Sequence, residues 1–168
     1  GYLRCLIYDL NVLAASVEKM LAESDVRIVE VYKTAALVKL RTVNTFFHRP
    51  DALDSIKCQM FQVYTPMMPP NQSQFWDTWL THQSINTYVT HLDIERVSKT
   101  VPQPKFTRGE RAVLRTAVAL MNDAIRFIDS VMSHRDFVAL NANGNRWLKE
   151  FADTLRRLNE FVTAGNSP

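Results

Sequence analysis

"TRGERAVLRTAVALMNDAIRFIDSV", residues 107 to 131, has a period that decides the fold. Val113, Ala117, Leu120, Ala124, Ile128 and Val131 recur at alternating steps of three and four, which stacks them on one face of an α-helix. The opening "TRGE" reads as a capping box, with the Thr107 hydroxyl reaching the backbone of the third helical residue and Glu110 reaching back. No alternating, strand-like run competes with this pattern anywhere in the chain.

Working outward, the same period returns. Leu3, Leu6, Leu10, Leu13, Val17 and Met20 form a first helical stripe. A second helix is expected from an N-cap at Asp25 to Arg49, where Pro50 disfavours helical geometry in the residue before it. On a wheel of about 100° per residue, its Ile28, Tyr32, Ala36, Val43, Phe46 and Phe47 fall on one broad side. Residues 51 to 62 suit a short helix, and "VYTPMMPPNQSQ" (63–74) reads as a loop crossing an end of the assembly. A third helix is expected from Ser73 to a break at Asp93, with "IERVSK" continuing it before Pro102 and Pro104. After the loop "NANGN", a last helix carries Trp147, Phe151, Leu155, Leu158 and Phe161, and residues 164–168 are expected to fray. Stripes of this length must hide against one another, so the fold class is all-α, an antiparallel helical bundle of about five main helices in a single domain, 1–168.

Composition agrees with that class. A chain of 168 residues with 46% hydrophobic and 22% charged residues is an ordinary globule, and its four glycines disfavour turn-dense β architectures. Cys5 and Cys58 are too few and too distant for a disulfide framework. No apolar run approaches the roughly 20 residues needed to cross a bilayer, and no positively charged leader precedes a small-residue cleavage site. A cytoplasmic, membrane-free protein is therefore the expectation. The net charge of +3 permits an anionic partner without demanding one.

Four polar constellations stand out. Arg41, Asn44 and His48 share a sector of the second helix with Glu30, Lys33 and Thr34, opposite its apolar side, and read as a solvated face. Lys39 falls inside the apolar sector, so it must either snorkel its ammonium to water or find a carboxylate. In the third helix His82, Asn86 and Asp93 interrupt the apolar stripe, which suits either a hydrogen-bonded network fixing helix register or a pocket. Lys105, Arg108, Arg111 and Arg115 gather cations near a helix start, where an anion would relieve the mismatch with the helix dipole. No Glu-x-x-His, His-Glu-x-x-His or Cys-x-x-Cys spacing occurs, so neither a metal site nor a cofactor is expected.

At "KLRTVNTFFHRPDALDSIKCQMF" (39–61) and "SINTYVTHLDIERV" (84–97) the chain resembles a group of bacterial helical proteins similar to the HEPN superfamily. That superfamily consists of helical bundles that often dimerise and include metal-independent ribonucleases with a reactive arginine and histidine. The resemblance implies a HEPN-like up-and-down core and a homodimer, with RNA or another anionic ligand as a partner. It offers His91, Arg96, His48 and Arg41 as catalytic candidates. Arg41 and His48 fit the ribonuclease spacing with six residues between them, whereas the position five residues before His91 is Asn86 rather than arginine. In an enzyme the histidine would act as acid or base on a ribose hydroxyl while arginine steadied the phosphate. The leading expectation is a non-catalytic binding or assembly module with Asn44, His82, Asn86 and Asp93 in its polar network. The alternatives are a metal-independent endoribonuclease and a nucleic-acid-binding protein that does not cleave.

Overall fold

The computed structural model describes residues 2–48, 56, 58–61, 109–141 and 146–167. Among them there is no strand. The helices are α1 (Tyr2–Ala22), α2 (Val26–His48), α3 (Glu110–Ser133), α4 (Arg135–Asn141) and α5 (Arg146–Gly165), with a 3-10 turn at Cys58–Phe61. The chain is all-α, as its period requires. No helix among the described residues is long and apolar enough to cross a membrane.

Asp25 performs the capping expected of it. Its Oδ1 accepts the backbone N–H of Arg27 at 2.9 Å, and its carbonyl accepts those of Ile28 and Val29. Just before it, Glu23 Oε1 accepts the N–H groups of Ser24 and Asp25, which fixes the tight turn between α1 and α2. The two helices then run antiparallel, tied near the far end by Lys39 and Asp9 at 2.6 Å. Lys39 thus takes the carboxylate rather than the free route to water.

The start of α3 differs from expectation. Gly109 is the N-cap and receives no side-chain cap, while Glu110 turns toward Lys33 of α2 at 3.7 Å. A buried ammonium is a strong attractor for a carboxylate, which draws Glu110 toward α2. Thr107 lies outside the described residues.

Three sets of contacts give the helix directions. Lys33 meets Glu110 and His48 meets Asp123, so α2 and α3 lie side by side in the same sense. Asn11 bonds Thr154 and Arg157 bonds Glu18, which sets α5 along α1. Against α3, α5 is antiparallel, with Phe137 of α4 on Phe151 near one end and Val118 by Gly165 near the other. A Cβ on Gly165 would stand 2.6 Å from Val118 Cγ2, so the absent side chain is what lets these helices close.

The core collects the expected stripes. Leu10, Leu13 and Val17 of α1, Val113, Leu120 and Ile128 of α3, and Phe151 and Leu158 of α5 are buried together. Around Phe127 the rings of Phe46, Phe47 and Phe61 stand edge-on at centroid distances of 5.2, 5.8 and 5.6 Å. Each such pair adds about 0.5–1.5 kcal/mol beyond the area it buries. Cys58 is buried with Sγ 3.8 Å from the Phe47 carbonyl, packing the 3-10 turn against the end of α2.

The buried face of α2 is the main correction. Ile28 is 41% exposed, whereas Lys33, Asn44 and His48 are 1%, 0% and 2% exposed. Half of the sector read as solvated is therefore core, while Thr34 is exposed and Glu30 and Arg41 are partly so. α2 touches α1 on one side and α3 on another, so its buried arc is far wider than a single-neighbour stripe. Lys33 and His48 survive on that arc because carboxylates meet them there.

Candidate functional site

Lys33, Leu37, Leu40, Asn44 and His48 follow one another along α2 at steps of four, three, four and four, which aligns them as a single seam. At the Lys33 end the ammonium lies between the carboxylates of Glu30 and Glu110. Burying that charge is tolerable only because both acids stay within ion-pair reach.

At the other end His48 Nε2 stands 2.8 Å from Asp123 Oδ2. The second oxygen of the same carboxylate accepts Arg126 Nη2 at 2.6 Å, one helical turn along α3. Asp123 is buried and Arg126 is exposed, so the three side chains form a chain from the core to the surface. A carboxylate held this way fixes the orientation of an imidazole and the side of the ring that faces it. It also leaves His48 at 2% exposure, without the solvent access that a general acid or base acting on RNA requires.

Between these ends Asn44 is wholly buried, and neither its Oδ1 nor its Nδ2 has a hydrogen-bond partner among the described residues. An amide in that state costs about 1–3 kcal/mol. Sequence reasoning singled out Asn44 as a network member; the structure places it in the seam without a bond to either polar end.

Arg41 goes elsewhere. It lines a pocket of about 400 Å³ on the α1 side of α2, with Tyr2, Cys5, Asp9, Thr45 and Phe46. His48 turns to α3 instead and does not line that pocket. Arg111 and Arg115 are exposed one turn apart near the start of α3. His82, Asn86, His91, Asp93, Arg96, Lys105 and Arg108 lie outside the described residues. Among the described residues no three His, Cys, Asp or Glu side chains gather as a metal ion would need.

A groove of about 770 Å³ runs between α1 and α5, a feature absent from the sequence expectations. Its floor is a hydrogen-bonded set: Asn11 Nδ2 donates to Thr154 Oγ1 at 3.1 Å, and Arg157 Nη1 donates to Asn11 Oδ1 at 3.1 Å. Arg157 also reaches Glu18 and Arg156 pairs with Glu160, while Glu150 and Asp153 add further acids to the lining. The only hint in the sequence is a pair of polar residues, Asn11 and Thr154, next to apolar stripe positions on their helices.

These features define an all-α protein with a polar seam sealed into its core. Comparison of the chain with family models, curated proteins and solved structures gives no match.

Proposed function

We propose that this chain is a non-catalytic, HEPN-like helical binding or assembly module of the bacterial cytoplasm, working as a homodimer. The observation that carries the reading is the divergence of Arg41 and His48: one lines a surface pocket beside α1, the other is ion-paired with Asp123 in the core. A ribonuclease of the two-residue type needs both groups on one scissile phosphate, with the histidine within hydrogen-bond reach of the ribose hydroxyl. Here the Arg41 side chain lines the pocket beside α1 while that of His48 is held on Asp123 of α3, two helical turns along α2. Most of the polar seam then serves register, since Lys33 and His48 each select a particular carboxylate on α3.

The test is direct. Single-stranded RNA is incubated with the full chain at high protein concentration in the presence of a chelator, and the products are resolved by size. The RNA is expected to remain intact. Cleavage that disappears in His48→Ala or His91→Ala would replace this reading with the metal-independent endoribonuclease.

A further inference from the structure

Two openings meet at Leu21, in the last turn of α1. One is the groove between α1 and α5. The other is a hollow of about 500 Å³ framed by the end of α1, the start of α2 and the start of α3, with Met20, Val26 and Val29 as apolar walls. Leu114 in the groove and Glu110 in the hollow stand one turn apart on α3, so a second helix also passes from one opening to the other. Most apolar side chains lie deep and the acids lie high: Phe161 and Met20 are buried and Leu114 and Val29 half-buried, whereas Glu18, Asp153 and Glu160 are exposed. Leu21 and Val26, 49% and 68% exposed, leave apolar surface open along the path.

The charge of this path runs against that of the chain, which is +3. Among the described residues Glu18, Glu150, Asp153 and Glu160 line the groove against Arg156 and Arg157. Glu23, Glu30 and Glu110 line the hollow, and no cation joins them in its walls. Lys19, Arg111 and Arg115 line neither opening. The cations that reach these acids are shared: Arg156 stands 3.9 Å from Asp153 and 3.1 Å from Glu160, and Lys33 lies between Glu30 and Glu110. Glu23 turns its carboxylate to the N–H groups of Ser24 and Asp25 rather than to a cation. Negative charge is therefore in excess at both openings.

We infer that this path is a docking site for a basic amphipathic helix of a partner protein, its apolar face on Leu21 and Val26 and its lysines or arginines against the acidic rims. The inference rests on the binding-module reading and names the partner's chemistry. Charge and apolar surface must be met together. A small polycation would meet the carboxylates but leave Leu21 and Val26 in water, and exposed ion pairs contribute little by themselves. A neutral apolar helix would cover those side chains and strand carboxylates away from water. A nucleic acid would bring phosphates to a surface already in negative excess. A helix with one apolar face flanked by cations satisfies both requirements, as helix-in-groove recognition does generally. Length agrees. From Glu150 to Ala164 the groove follows α5, which at about 1.5 Å per residue is roughly 20 Å, room for a helix of about 14 residues. Asp153 and Glu160 are two turns apart on α5, so they select cations at the same spacing on one flank of the ligand.

The experiment follows the fluorescence anisotropy of a labelled synthetic peptide of about 16 residues, a leucine stripe at the three-to-four step flanked by lysines, titrated with the full chain. Saturable binding is expected, weakening as salt rises, and at least about tenfold weaker for a peptide of the same composition whose order removes the stripe. Asp153→Asn combined with Glu160→Gln, both at exposed positions, is expected to weaken binding about tenfold. Leu21→Ser should weaken it as well, with helicity by circular dichroism unchanged in each variant. Asp136→Asn, at an exposed acid of α4 outside the path, should change nothing. Absence of saturable binding, equal binding of the two peptides, or indifference to the groove variants each overturns the proposal. Spermine that displaces the labelled peptide as effectively as the unlabelled peptide does would assign the acids to small polycations and overturn the helix. Intact RNA together with no peptide binding leaves the non-catalytic reading standing, whereas RNA cleavage removes that reading whatever the peptide does.

Discussion

His48 Nε2 and Asp123 Oδ2 lie 2.8 Å apart inside the core, joining the last turn of α2 to the middle of α3. The pair makes the end of α2 a fixed point rather than a free polar margin. Its energetic weight depends on both partners being present, since a lone buried carboxylate or imidazole has no water to replace the lost bond.

Asp123→Ala should therefore destabilise the chain by about 3–5 kcal/mol, the range for removing one partner of a buried pair. Arg126→Ala, which removes an exposed partner of the same carboxylate, should cost no more than about 1 kcal/mol. Urea denaturation followed by circular dichroism measures both. Equal effects at the two positions would place the weight on the surface ion pair instead.

Asn44 yields the opposite sign. Replacing a buried amide that has no partner by an apolar residue of similar volume, Asn44→Leu, should raise stability by about 1–2 kcal/mol. A lower melting temperature in this variant would mean that the amide is engaged by a group beyond the described residues.

Gly165 is a steric prediction. Alanine normally gains about 1 kcal/mol over glycine within a helix, but here its Cβ would press on Val118 Cγ2, and a β-branched side chain cannot swing clear. Gly165→Ala should lower the melting temperature, and adding Val118→Ala should recover the loss. Independent, additive effects of the two substitutions would show that the helices do not meet there.

Asp25 supplies a pH dependence. The Arg27 side chain and its backbone N–H hold the Asp25 carboxyl below its ordinary value of 3.8. A lowered folded-state value means that the stabilisation is fully present above 3.8 and is lost as pH falls through the folded-state value, below 3.8. Wild type should exceed Asp25→Ala in melting temperature at pH 5, and the gap should narrow below pH 3.8 as the carboxyl protonates. A gap that widens on acidification would contradict the cap.

The helices whose stripes are narrow were legible from residues alone. In α3 every position from Val113 to Val131 at the three-to-four step is buried, and Val118, Met121 and Phe127 beside that stripe are buried with it. α2 carries apolar residues almost all round: Ile28 and Tyr32 on one side, Leu37 and Leu40 on another. Centring its face on Ile28, Tyr32 and Phe46 leaves Leu37 and Leu40 aside and turns Lys33, Asn44 and His48 outward, the reverse of what is found. What decides between the two orientations is the carboxylate on the neighbouring helix. Asp123 and Glu110 are distant in sequence, and no local period could reveal that they await a histidine and a lysine. Lys39 was readable only as a choice between water and an acid, for the same reason. The groove over Asn11 and Thr154 needed the crossing of α1 and α5, which periodicity does not encode.

The central claim, that His48 is a sealed structural residue, is tested most directly by modification with diethyl pyrocarbonate, read peptide by peptide by mass spectrometry on the native chain. His134, whose side chain is 43% exposed, serves as the internal reference against 2% for His48. His134 should acylate rapidly, with His48 untouched until the chain is unfolded in denaturant. Native acylation of His48 at the rate of His134 would contradict the claim.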